Sequence, residues 1–155
     1  MRRLFSLIPA LVAVAGCAKK DAPAADTAQA EVAVAPAPPP ALTEANVAGT
    51  WKGSSRAAGS DSVIGRWTQV CAAGSCTGTQ EGSTTSVVAT YTVAGDSSVG
   101  VTKPFSPPGF KGARIVDTWV AHINGDSVTG TGTMTLASKP DSVVGRYTFA
   151  GSRVR

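Results

Sequence analysis

Cys71 and Cys76 carry the clearest chemistry in this 155-residue chain. Once Cys17 is set aside for a separate role, they remain as an even pair. In an oxidising compartment such a pair favours a disulfide. A redox-active pair is the alternative, but the four-residue spacer and the lack of a helical pattern after Cys71 do not suit a thioredoxin-like site. A structural disulfide is expected, contributing roughly 2 kcal/mol through loop entropy. His122 is the only imidazole. Asp117 lies five residues earlier on the same expected strand, so the two side chains belong to opposite faces. A base and its orienting acid therefore cannot come from these two alone. Asp117 and Glu81 lack the spacing of a carboxylate pair. The chain has no Gly-x-Ser-x-Gly elbow, Walker loop or His-Glu-x-x-His. Asp-Ser recurs at Asp61, Asp96, Asp126 and Asp141. These sites are too scattered for a calcium loop and read as acids closing turns onto nearby backbone. The expectation is no enzyme, no metal and no cofactor.

Composition narrows the remaining classes. Charged residues make up 15% of the chain and aromatics 6%, too few for a coiled coil or a basic nucleic-acid arm. Arg2 and Arg3 precede an apolar run from Leu4 to Ala15. That run has the length of a secretory core and is too short to span a bilayer, which takes roughly 20 residues. It ends Val14-Ala15-Gly16-Cys17, which resembles the lipobox of bacterial lipoproteins. The resemblance implies cleavage after residue 16 and a lipid-modified Cys17. Its acyl chains would anchor the protein firmly at roughly 0.8 kcal/mol per buried methylene. Ala18 in place of Asp resembles the sorting signal for an outer membrane, on its periplasmic or outer side. Loss of Arg2 and Arg3 leaves twelve basic against ten acidic residues, a net charge of only +2. No nucleic-acid partner is expected.

Residues 17–42 form a tether. Between Ala18 and Leu42, 15 of 25 residues are Ala or Pro, and the prolines forbid a continuous helix. Residues 43–155 differ sharply, with 16 Thr and 14 Val but a single Leu, Leu136. From Ser127 to Leu136 every odd position is Ser or Thr and every even one is apolar or Gly. That period of two gives a strand one wet face and one dry face. Turn signals divide the domain into eight strands near 48–57, 61–71, 76–82, 84–93, 97–103, 113–123, 127–136 and 142–154. The fold class is all-β, an eight-stranded antiparallel up-and-down barrel. Its inward candidates are Trp51, Trp67, Val87, Tyr91, Val101, Trp119, Val128, Met134, Val143, Tyr147 and Phe149. Gly65, Gly130, Gly132 and Gly145 face them, either admitting large rings or leaving a hollow. An internal echo relates Asp61–Thr68 to Asp141–Thr148 at six of eight positions.

Asn46-Val47-Ala48-Gly49-Thr50-Trp51 opens the domain, and its Gly-x-Trp resembles the first-strand signature of lipocalins and related calycin barrels. The resemblance implies a Trp51 barrel floor under an Arg from the last strand, Arg153, with Arg155 the alternative. It also implies a small hydrophobic ligand. The loop Pro104–Gly112 carries Phe105 and Phe110 on a stiff Pro/Gly frame, suited to a flap at a barrel mouth or to a partner surface. Trp67, Trp119, Phe105 and Phe110 are the candidate contacts. Two readings follow: an envelope lipoprotein binding a hydrophobic small molecule, or an assembly accessory contacting an envelope protein through residues 104–112.

Overall fold

Alternation of β-branched and hydroxyl residues with Gly and apolar residues gives every long segment of this domain a strand's two faces. In the computed structural model, which describes residues 41–108, 110 and 112–155, these segments close into one antiparallel barrel in sequence order. The strands are β1 Gly49–Ala57, β2 Val63–Ala72, β3 Ser75–Gln80, β4 Ser86–Ala94, β5 Ser97–Thr102, β6 Ile115–Asn124, β7 Ser127–Leu136 and β8 Lys139–Arg153. Closure runs from Trp51 opposite Arg153 to Ala57 opposite Tyr147, so no sheet edge is left open. The expected signal peptide, the Cys17 anchor and nearly all of the tether lie outside the described residues. Leu42, the last residue of the expected tether, already meets the barrel: its N–H donates to the Gly95 carbonyl at 2.9 Å.

One short helix, α1 at Glu44–Val47, was not anticipated. Its signal is local. Asn46 Oδ1 accepts from both the Thr43 amide (2.9 Å) and the Thr43 hydroxyl (2.6 Å), tying the start of the turn together. Val47 then sits buried beneath the barrel.

Two inward assignments are overturned. Val101 is 43% exposed, because β5 turns Ser98, Gly100 and Thr102 inward rather than its valines. Val143 is 45% exposed for a different reason. Gly145 pairs with Met134, but Val143, two residues back, pairs with the very next β7 residue, Thr135. That extra residue is a β-bulge, and it flips the face. The same event occurs where Ser55 pairs with Gly65 but Arg56 with Val63. The two echoing segments are thus the mouth-end halves of β2 and β8, the two neighbours of β1, and both encode a bulge before an inward Gly. The reversal expected at Lys139-Pro140-Asp141 also moves. The turn is Ala137–Ser138, and Pro140 lies within β8 beside the shifted register, where its missing N–H removes nothing from the ladder.

Cys71 and Cys76 sit directly opposite each other on β2 and β3, with their sulfurs 2.09 Å apart. The hairpin between them turns through Ala73 (φ 44°) and Gly74 (φ 76°), the two left-handed residues of a tight reversal.

Candidate functional site

The closed end of the barrel is built on Trp51. Its indole is 3% exposed and donates Nε1–H to the Val47 carbonyl at 2.8 Å, joining α1 to β1. The Arg153 guanidinium lies over the ring, 4.2 Å from its centroid. Arg153 also donates to the carbonyls of Ala48 and Asn46, and its Nε is 3.3 Å from Asp126. Gly49 makes this approach possible. Its φ of 124° suits only glycine, and a Cβ there would overlap the Arg153 Nη1. Arg155, the alternative candidate, points to Asp126 instead, with Nε 3.0 Å from Oδ2. Hydrogen bonding to Arg155, with Arg153 nearby, holds Asp126 below the usual carboxylate range.

Above this floor lies a cavity of about 380 Å³. An eight-stranded barrel is narrow enough to be filled by its own side chains, so the hollow needs a cause. It lies in where the large rings go. A Cβ at Gly100 would overlap the Trp119 ring, one at Gly132 the Tyr147 ring, one at Gly130 the Phe149 ring, and one at Gly53 the Trp67 ring. Each ring therefore leans along the wall onto a glycine of the adjoining strand, in space that any side chain at that position would take. Trp67 and Phe149 meet edge to face with centroids 6.1 Å apart, which steadies one side of this lining.

All four candidate contact residues, Trp67, Trp119, Phe105 and Phe110, line the cavity. Phe105 is pinned to the first residue of β6: its N–H donates to the Ile115 carbonyl at 3.0 Å and its carbonyl accepts from Ile115 at 2.8 Å. Together with Pro107, Pro108 and Phe110 it forms part of the rim at the end opposite Trp51.

Asp117 was not anticipated as a site residue. It projects inward from β6, opposite Met134 of β7, and joins the cavity lining. Tyr147 donates its hydroxyl to Asp117 Oδ2 at 2.6 Å, while Oδ1 is buried with no partner among the described residues. Burial pushes the Asp117 carboxyl up to about 6, with the Tyr147 hydrogen bond opposing that rise. Burial first, and then the facing carboxylate, push the Tyr147 phenol above its ordinary value. The signal was in the sequence: Asp117 shares its parity with Ile115, Trp119, Ala121 and Ile123, an otherwise apolar stripe.

His122, on the opposite parity, is exposed near the closed end. Its Nδ1 is 3.1 Å from Ser97 Oγ and 4.0 Å from Asp96. The residue types suggest a hydrolytic triad, but the geometry does not make one. Serine and acid approach the same ring nitrogen, whereas a relay needs one at each. The Ser97 hydroxyl also bonds Asp96 Oδ1 at 2.7 Å, holding that acid low. Among the described residues no cluster of His, Cys, Asp or Glu is arranged to hold a metal.

Comparison with protein-family models, with curated proteins and with solved structures finds no match to this chain.

Proposed function

We propose that this protein is a lipid-anchored component of a bacterial cell envelope, at the outer membrane, whose barrel binds a small hydrophobic or amphipathic molecule. One observation carries the binding reading: an apolar, aromatic-walled cavity of about 380 Å³ above the Trp51 floor. That volume lies at the small end of the range that holds compact organic ligands. The Trp51–Arg153 floor is the arrangement that the resemblance to lipocalins and calycins implies. Phe105 and Phe110 line the hollow rather than projecting as an exposed pair, which favours a mouth over a docking surface for an envelope protein. Binding and retention, not turnover, are the activity of this reading.

The mouth is tested by replacing Phe105 and Phe110 together with Ser. Affinity for the fluorescent probe N-phenyl-naphthylamine should fall by about tenfold, the loss of one to two buried aromatic contacts. The urea midpoint should move little. A large drop in stability with unchanged probe affinity would identify both rings as core and favour the partner-contact reading of residues 104–112.

The anchor rests on Val14-Ala15-Gly16-Cys17 and is tested separately. In the native host, Cys17→Ser should move the protein out of the membrane fraction or leave it unprocessed. Unchanged membrane fractionation of that variant would remove the lipid anchor from the proposal.

A further inference from the structure

An ionisable acid in an aromatic-walled cavity is costly unless something answers it. Asp117 has one answer, the Tyr147 hydroxyl on Oδ2. Its other oxygen accepts from no described residue. None of the four ion pairs among the described residues involves it.

Among the described residues, the surrounding elements offer no counter-charge paired with it. β7 carries no ionisable residue. On β8, Arg146 is exposed and bonds Thr133 Oγ1 at 3.2 Å, Lys139 and Asp141 are exposed at the strand's start, and Arg153 is committed to the floor. Lys103, next to β5, is exposed, and Arg114, just before β6, is exposed and directed to the Pro104 carbonyl. On β6 itself His122 faces outward near the closed end. Arg66 is the one cation among the described lining residues, but its side chain is largely exposed and sits 3.6 Å from Glu81, which lies outside the cavity lining. Asp117 is the only acidic side chain among the described lining residues.

The aromatic part of the lining is suited to a cation in a second way. Trp67, Trp119 and Phe149 present aromatic surface to the same space, and aromatic faces attract positive charge. We propose that the cavity takes a lipophilic amine, its apolar body against the aromatic wall and its protonated nitrogen donating to the Asp117 carboxylate. This identification rests on the small-molecule reading and names the ligand class for the same cavity. The amine supplies the hydrogen-bond donor and the positive charge that Asp117 lacks among the described residues. Tyr147 acts as a positioning residue, holding Oδ2 so that the carboxylate keeps one orientation.

Protonation sets the pH dependence. Burial pushes the carboxyl up to about 6, so at pH 8 it is ionised and suited to a cation. Amine affinity falls as pH drops through that region, and a bound cation moves the midpoint lower by stabilising the ionised form.

The test uses the full chain and three probes of similar shape: naphthylethylamine, naphthylethanol and naphthylacetate. Binding is read at pH 8 by titration calorimetry and quenching of tryptophan emission. The amine should bind at least about tenfold more tightly than the alcohol, the scale of one charge-assisted hydrogen bond. The acetate should bind weakest. Asp117→Asn preserves an acceptor for Tyr147 and should abolish the preference for amine over alcohol while leaving alcohol binding in place. The preference should also shrink below pH 6 in the parent and be flat with pH in the variant. Equal affinity for amine and alcohol, or tightest binding of the acetate, would overturn the amine proposal and leave the small-molecule reading intact. If none of the three binds, both fall.

Discussion

Replacing Trp51 with alanine should destabilise the barrel by about 3–5 kcal/mol, the range for emptying a buried aromatic site. Three losses coincide there. The indole leaves a void among Val47, Cys71 and Tyr91, part of the same buried cluster. The Val47 carbonyl loses its Nε1–H donor. The Arg153 guanidinium loses the ring beneath it, a contact contributing on the order of 0.5–2 kcal/mol. Trp51→Phe separates these effects: it keeps an aromatic face for Arg153 and removes the donor, so its cost should be about 1–2 kcal/mol. Urea unfolding followed by circular dichroism measures both. A loss below about 1 kcal/mol for the alanine variant would mean that Trp51 is not the plug on which the closed end depends.

Replacing Asp117 with asparagine should instead stabilise the protein at neutral pH, by up to about 3 kcal/mol. The sign follows from burial. The folded carboxyl titrates at about 6, above its ordinary value of 3.8, so the folded chain holds this proton more tightly than the unfolded one does. The group's contribution is most favourable below about pH 4, declines as pH rises to about 6, and stays reduced above that. Asparagine carries no charge to bury and still accepts from Tyr147, so that decline should disappear from its stability profile. Urea midpoints taken from pH 4 to pH 8 give the comparison. A variant less stable than its parent at pH 7, with the same pH slope, would show that the ionised carboxylate is already satisfied. Greater stability combined with lost amine preference would mark a residue kept for binding rather than folding.

Much of the architecture was legible from local pattern. The Ser/Thr alternation of β7 and the Asp/Gly turns at 95–96 and 125–126 required antiparallel hairpins. Eight strands in sequence order closed as expected, because short connections leave few alternatives to neighbouring pairing. Cys71 and Cys76 were recognisable as a pair once the lipobox resemblance set Cys17 aside and an oxidising compartment was expected. Face assignments were less secure wherever the period of two was interrupted. Val143 failed because a one-residue bulge reverses every side chain beyond it, and the bulge is a property of two strands in register rather than of either sequence. Val101 failed because apolar character was read as inward character. On β5 the barrel instead needed Gly100 inside, to leave room for the Trp119 ring from the next strand.

By itself, then, the sequence determined the strand count, the order of pairing and the position of the cysteines. These depend on residue type and on neighbours a few positions away. The Trp51–Arg153 floor was expected only from the lipocalin resemblance. Whether the barrel is filled or hollow was decided only by tertiary structure. The same rings and glycines could have packed toward the axis; they lie along the wall because each ring meets its glycine across a strand pair. Asp117 belongs to that second kind of fact. Its inward parity was readable, but the partnering of one oxygen by Tyr147, thirty residues away, and the isolation of the other arise only when β6 and β8 are brought to opposite sides of β7. An acid's charge cost is set by what surrounds it in three dimensions, and no spacing along the chain records that.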